Sequence, residues 1–166
     1  MGSFHQGGRE LGMARMTQAM EVFRSELGAP GQSLLSARVA EADGLMGRIG
    51  EGETLVLTGF AIARRGNEAF AESELYRVEG ELRLASSEPH AIDAEGCFRR
   101  AIEVAQRQTA KWFELRATSS LARLLRDANR RDEARAMLAE IYNWFTEGFD
   151  TADLKDAKAL LDELSR

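Results

Sequence analysis

The most constraining feature of this sequence is a spacing of small and large apolar residues that occurs four times. In residues 130–149, Ala134 is followed by large apolar residues at offsets of four, seven, eight and eleven, which is one face of an α-helix. Counting back by 40, 42 and 40 residues finds matching columns that begin at Ala94, Gly52 and Gly12. Their members are Ala134, Leu138, Ile141, Tyr142 and Phe145; Ala94, Phe98, Ala101, Ile102 and Ala105; Gly52, Val56, Gly59, Phe60 and Ala63; and Gly12, Met16, Ala19, Met20 and Phe23. A period of about 40 residues indicates an array of helical repeats.

The apolar periodicity predicts an all-α fold of about eight helices. Their predicted ranges are 9–27, 32–45, 51–64, 68–86, 91–109, 112–128, 132–146 and 152–164. Residues 54–60 are also compatible with a buried strand, because Val, Thr and Phe favour strands and Gly59 weakens a helix, but the repeat register favours a helix. Gly80 lies mid-helix, where the close approach of a neighbour is expected. Short connections predict antiparallel neighbouring helices.

The C-terminal part of the pattern predicts a capping helix. Gly148 is suited to the left-handed conformation that closes a helix, and Phe149 is then expected to pack against Trp144. Asp150 or Thr151 is expected to cap the last helix, whose polar surface suits the end of a repeat stack.

The register also predicts the domain organisation. Residues 1–8 are glycine-rich and unpatterned, and we expect a flexible tail there. Residues 9–166 are expected to form a single domain. Its register units are 9–49, 50–90, 91–130 and 131–166. The first predicted helix has the phase of the second helix of a hairpin, so the chain begins within a unit, as a fragment of a longer protein would.

Composition excludes several classes of partner. A net charge of −5 and a pI near 5.2 argue against nucleic acid and against a polybasic membrane patch. The apolar stretch at 55–63 is too short to cross a bilayer, and no secretory signal is visible. A single cysteine, Cys97, cannot form an internal disulfide and suits a reducing compartment, so a cytoplasmic location is expected.

No catalytic, cofactor or metal site is expected from the motifs. Residues 47–54 approximate a phosphate-binding loop, but Glu53 replaces the lysine that would contact phosphate. His5 and His90 are isolated, and no cluster has the spacing of metal ligands. We therefore do not expect an enzyme.

The spacing small-xxx-large-xx-small in the second helix of each hairpin resembles the tetratricopeptide repeat. Residues 71–84, 94–105 and 130–164 more specifically resemble the C-terminal helical-repeat region of bacterial multidomain signalling ATPases, often joined to an adenylate/guanylate cyclase or a transcription regulator. The resemblance implies a right-handed α-α superhelix of stacked antiparallel hairpins with a C-terminal capping helix. It also implies a non-catalytic, regulatory scaffold that binds a protein or peptide partner, including an attached ATPase or cyclase module.

Aligning Ala122 with the small residue of a tetratricopeptide helix yields a candidate partner-binding groove. Its predicted residues are Arg116, Ser119, Arg123 and Arg126, with Glu74, Arg77 and Glu81 in the preceding unit. Because an arginine fork binds a carboxylate with two hydrogen bonds, an acidic peptide segment or a C-terminus is a candidate ligand. Two alternatives stay open: an ordinary charged exterior, and a small-molecule effector site lined by Trp112, Tyr142 and Trp144.

Overall fold

The computed structural model describes residues 31–66, 68–87 and 90–166, together with residues 12, 14, 15 and 18, and these residues form helices joined by turns, with no β-strand. The described α-helices are α1 Gln32–Leu45, α2 Ile49–Gly66, α3 Glu72–Ala85, α4 Ala91–Arg107, α5 Lys111–Asp127, α6 Arg131–Tyr142 and α7 Ala152–Leu164. A 3₁₀ turn, Ala69–Ala71, precedes α3. Residues 12, 14, 15 and 18 are helical, and the rest of the predicted helix at 9–27 lies outside the described residues, as does the tail at 1–8.

The ambiguous segment 54–60 is helical and lies within α2. Gly59 has a low helix propensity, but its position in α2 has no room for a side chain. A Cβ at this position would lie 2.5 Å from Leu75 Cδ2 and 3.2 Å from Ser36 Cβ. The glycine therefore lets α2 approach both α1 and α3 more closely than a larger residue would.

Gly80 has the close neighbour that the sequence predicts. A Cβ on Gly80 would lie 2.6 Å from Cε1 of Phe98, a fully buried residue of α4. The missing side chain on α3 thus leaves space for the largest fully buried side chain of the described core.

The predicted helix at 132–146 is too long, because α6 ends at Tyr142. Beyond it, Trp144 N–H donates to the carbonyl of Ile141 and Phe145 N–H donates to that of Tyr142, so the chain tightens into turns. In these turns the centroid of the Phe145 ring lies 5.7 Å from that of the Trp112 ring. The helix α6 therefore ends before Phe145, whose ring contacts Trp112 of α5.

The predicted role of Gly148 as the residue that closes a helix is wrong, because α6 ends before it, at Tyr142. Gly148 does adopt a left-handed conformation, with φ +77°, but it lies in the loop between α6 and α7 and does not close a helix. Phe149 packs on Tyr142, at 5.8 Å between ring centroids, where the sequence predicted Trp144. Thr151 precedes α7 as expected, although its hydroxyl donates to the Gly148 carbonyl and does not cap the helix.

The helices pack in a regular order. The pairs α1–α2, α3–α4 and α5–α6 are in contact, and the second helix of each pair also contacts the next helix along the chain. In addition, α1 contacts α3, α3 contacts α5, and α5 contacts α7. The helices α1, α3, α5 and α7 therefore form one layer, in which side chains from all four can meet.

The buried core has two main parts. One comprises apolar residues of α1, α2 and α3, including Leu75 and Leu82. The larger one comprises residues of α4 to α7, including Phe98, Leu121 and Leu138. None of the described helices combines the length and apolar character needed to cross a bilayer.

The N-terminus of α1 is fixed by Glu68, which lies 35 residues further along the chain. The backbone N–H groups of Gly31 and Ser33 each donate to its carboxylate at 2.9 Å, and the Ser33 hydroxyl donates as well. Burial alone would raise the pKa of Glu68, but these hydrogen bonds, led by that of the Ser33 hydroxyl, lower it. The anionic carboxylate thus orients the first helix of the layer.

Candidate partner-binding groove

A groove with a volume of about 350 Å³ runs across the layer formed by α1, α3, α5 and α7. Its lining residues are Glu41, Gly44 and Leu45 of α1; Arg77, Glu81, Leu82 and Ala85 of α3; Arg116, Ser119, Ser120 and Arg123 of α5; and Asp153 and Asp156 of α7. Each helix contributes through one face, as helical periodicity requires. The groove combines a charged centre with apolar side chains contributed by α1 and α3.

Five of the residues predicted for the groove line it: Arg77, Glu81, Arg116, Ser119 and Arg123. The other two are placed differently. Glu74 is fully buried and is not part of the lining. Arg126 is also outside the lining, and its side chain forms ion pairs with Asp127 at 2.8 Å and Glu163 at 3.0 Å.

Glu74 is the centre of a buried ionic cluster. Arg77 donates to both carboxylate oxygens, through Nε at 3.0 Å and Nη2 at 2.9 Å. Nη2 of Arg116 lies 3.0 Å from Glu74 Oε1, and Nη1 of Arg38 lies 3.1 Å from the same oxygen. Burial alone would raise the pKa of Glu74, but the hydrogen bonds and charge of Arg77, followed by the charges of Arg116 and Arg38, lower it. One carboxylate thus fixes three arginines from three helices.

Glu41 of α1 connects these arginines at the surface of the groove. Arg77 Nη2 donates to Glu41 at 2.6 Å, and the guanidinium groups of Arg38 and Arg116 each lie 3.4 Å from the same carboxylate. Burial alone would lower the pKa of Arg77, but Glu74 and then Glu41 raise it. Arg77 is therefore held as a cation between two anions.

Arg38 and Glu41 belong to this cluster, and the sequence prediction did not include them. The three arginines lie on α1, α3 and α5 at positions 38, 77 and 116, so successive members are 39 positions apart. That spacing was visible in the sequence and is close to the period of the apolar columns. It would have identified Arg38 as a member of the set.

The arginine forks expected to bind an acidic ligand are already engaged within the chain. Arg116 also lies 3.4 Å from Asp153, although its Nε is buried and has no acceptor within the described part of the chain. Ser120 donates to Glu81 at 2.6 Å, which fixes that carboxylate. Arg123 differs, because it is exposed and forms no ion pair with any described residue. Its guanidinium therefore has its hydrogen-bond donors available to a ligand.

The aromatic residues proposed for an effector pocket lie elsewhere. Trp112, Tyr142 and Trp144 are absent from the groove lining, and none of the described lining residues is aromatic. They form ring contacts with Phe145 and Phe149 around the loop between α6 and α7.

The described residues include no group of three or more His, Cys, Asp and Glu side chains that could hold a metal ion. The segment that approximates a phosphate-binding loop forms a turn at Gly47 followed by the first residues of α2. A comparison of the chain with protein-family models, with curated proteins and with solved structures finds no match.

Proposed function

We propose that this chain is a non-catalytic scaffold for protein–protein interactions, organised as a tetratricopeptide-like superhelix that ends in a capping helix. The packing order supports this arrangement, because the first helix of each described hairpin contacts the first helix of the next. The likeness of residues 71–84, 94–105 and 130–164 to the repeat region of signalling ATPases favours a regulatory role beside an ATPase, cyclase or transcription-regulator module.

The groove is the observation that carries the proposal. Four helices contribute to it, and the ionic cluster around Glu74 fixes the relative positions of three of them. A surface that is rigid before binding loses less conformational entropy when a partner is bound. A concave surface that combines charged and apolar side chains suits the recognition of an extended or helical peptide.

Two groups in the groove define the chemistry of the peptide. Arg123 has no ion-pair partner in the described chain and would donate hydrogen bonds to a carboxylate of the ligand. Leu45, on α1, is 79% exposed and offers an apolar contact. We therefore propose a partner segment with an acidic side chain at Arg123 and an apolar side chain against Leu45. This narrows the expectation of an acidic ligand to one arginine, since Arg77 and Arg116 are paired within the chain.

Selection of displayed random peptides on the whole chain tests the proposal. Enriched peptides are expected to carry an acidic residue separated from an apolar one, and their affinity is measured by calorimetry. Arg123→Ala should weaken binding about tenfold or more, because a hydrogen bond to a charged group contributes about 1.5 to 3 kcal/mol. Leu45→Ser should also weaken binding.

Arg135→Ala is the matched control, because this arginine is exposed on α6 and has only a distant acidic neighbour, Asp132 at 3.9 Å. It should leave the affinity unchanged. Failure to enrich any peptide, or equal affinities for Arg123→Ala and Arg135→Ala, would contradict the proposed use of the groove. Arg116→Ala is less informative, since it also removes a partner of buried Glu74.

A small-molecule effector is the second candidate, and the groove volume favours it. About 350 Å³ lies in the range of roughly 300 to 1,000 Å³ that is typical of pockets for small ligands. Thermal unfolding with a panel of small carboxylic acids separates the candidates. A ligand that raises the melting temperature of the parent chain but not that of Arg123→Ala would support an effector site.

A further inference from the structure

A second surface, separate from the groove, concentrates aromatic side chains. It comprises Trp112 at the start of α5 and Tyr142, Trp144, Phe145 and Phe149 around the loop between α6 and α7, and we call it the aromatic patch. Both tryptophans of the chain belong to it. None of its residues lines the groove.

The patch is exposed although aromatic side chains favour burial. Trp144 is 57% exposed, Phe149 45% and Trp112 36%. Exposed clusters of large apolar side chains are uncommon on monomers and mark interaction surfaces. Tryptophan and tyrosine are also the residues most enriched where binding energy is concentrated.

The ring geometry indicates the shape of the partner. Trp112 and Trp144 both stand edge-to-face to the same Phe145 ring, with interplanar angles of 84° and centroid distances of 5.7 and 5.2 Å. Tyr142 and Phe149 are tilted by 54°. Rings packed in this way form a stepped surface of separate faces and edges, with no single flat platform. Proline side chains in a polyproline II segment are bound on aromatic-lined surfaces.

The charges around the patch select a basic partner. The loop at 143–151 contains Glu147 and Asp150 and no lysine or arginine. Both acids are exposed, as is Glu140 of α6, and none of the three forms an ion pair with another described residue. The nearby Lys111 lies 5.8 Å from the centre of the Trp144 ring, but its ammonium group is paired with Glu114 at 2.7 Å. The loop and the end of α6 beside it therefore carry three carboxylates without an ion-pair partner among the described residues.

We propose that the aromatic patch binds a proline-rich segment of a partner protein that carries a basic residue. The prolines pack against the rings of Trp112, Trp144 and Phe149, and the basic side chain pairs with Glu147 or Asp150. This surface acts independently of the groove, so the chain has two binding sites for different kinds of peptide.

Tryptophan fluorescence tests the proposal directly, because both emitting residues lie in the patch. The probe is a short synthetic peptide of alternating proline and leucine that ends in arginine, titrated into the full chain. The peptide should shift the emission maximum, and this shift should reach a plateau as the peptide concentration rises. The same peptide with glutamate in place of arginine should bind at least about fivefold more weakly, since a charged contact contributes on the order of 1 kcal/mol. A peptide with alanine in place of each proline should also bind more weakly, because it loses the preformed polyproline II conformation.

The double variant Glu147→Lys/Asp150→Lys keeps both tryptophans and should weaken the arginine peptide by a similar factor. Arg123→Ala, in the groove, should leave this titration unchanged, so failure of the groove proposal and failure of this one are distinguishable. Absence of any emission change up to about 1 mM peptide would overturn the proposal. Equal binding of the three peptides would also overturn it. So would an emission maximum that shifts with protein concentration in the absence of peptide, because the patch would then be covered by a second copy of the chain.

Discussion

Two ionic networks join successive hairpins of this molecule, and water reaches them to different extents. The inner network comprises Glu41, Glu74 and the three arginines that they bind. Its central side chains are buried, with Glu74 0% and Arg77 5% exposed, while Glu41 and Arg38 at its edge are 27% and 35% exposed. The outer network comprises Glu95 and Arg99 of α4 with Arg130 and Glu133 at the start of α6. Arg99 lies 2.8 Å from Glu133, and Arg130 lies 2.7 Å from Glu95. Its side chains are between 24% and 43% exposed.

The same types of residue therefore contribute differently to stability. At the centre of the inner network, Glu74 and Arg77 have lost their hydration, so each depends on its partners, and removing one leaves the other uncompensated. In the outer network water replaces any lost partner, and exposed ion pairs contribute about 0 to 1 kcal/mol. The inner network is a structural joint between α1, α3 and α5, whereas the outer network adds little to the free energy of unfolding.

The largest effect is expected for Glu74→Gln. The substitution keeps the shape of the side chain but removes the anion shared by three arginines, one of them buried. We expect the free energy of unfolding to fall by about 3 kcal/mol, as in other broken buried pairs. Urea denaturation followed by circular dichroism measures the change. Glu103→Gln, at an exposed carboxylate paired only with Arg100, is the matched control and should change it by less than about 1 kcal/mol.

The pH dependence of the difference in free energy of unfolding between the parent and Glu74→Gln shows whether charge or packing causes that difference. Because the folded-state pKa of Glu74 is lowered from its ordinary value of 4.5, the stabilisation that it provides is complete above pH 4.5 and is lost as the pH falls through the lowered pKa. Glu68, Glu95 and Glu133 also have lowered pKa values, but they are present in both proteins and cancel in the difference. The gap between the parent and Glu74→Gln should therefore narrow only below pH 4.5. A gap of constant size down to pH 2 would show that packing, and not charge, accounts for the loss.

An intermediate effect is expected for two glycine-to-alanine substitutions, one at a buried packing contact and one at an exposed position. Gly80→Ala on α3 places a methyl group 2.6 Å from Phe98, whereas Gly96→Ala on α4 places one in open space. Overpacking costs about 1 to 3 kcal/mol, partly offset by roughly 1 kcal/mol of helix propensity. We expect Gly80→Ala to destabilise the chain by about 1 kcal/mol and Gly96→Ala to stabilise it by about 0.5 to 1 kcal/mol. Differential scanning calorimetry of both variants measures this contrast, and shifts of the same sign would contradict it.

Local signals in the sequence were sufficient for much of the helical structure. The ranges 32–45 and 152–164 match α1 and α7 to the residue, because a glycine-rich turn and a Thr-containing turn precede them. Helical phase likewise accounts for the shared face of Arg116 and Arg123 on α5, since residues seven apart lie two turns apart on one side of a helix. Arg77, on α3, was placed with them by the alignment with a tetratricopeptide helix.

Contacts between distant segments could not be predicted in this way. Glu41 lies 36 residues before Arg77 and 75 before Arg116, so the sequence did not reveal that these arginines are already paired. Arg126 shares the polar side of α5, yet Glu163 of α7 binds it outside the groove. Beyond the early end of α6, Phe145 contacts Trp112 of α5, and the local sequence does not reveal this contact between helices.

The smallest effect is expected for Glu133→Gln in the outer network. The substitution removes the anion that lies 2.8 Å from Arg99 and 2.7 Å from Arg130, but both arginines remain paired with Glu95 and hydrated. We expect the free energy of unfolding to fall by less than about 1 kcal/mol at low salt. The loss should disappear near 1 M NaCl, where the screening length is about 3 Å, whereas the loss in Glu74→Gln should persist because that site excludes water. Equal salt dependence of the two variants would mean that burial does not distinguish the networks, and the inner network would then not be a structural joint.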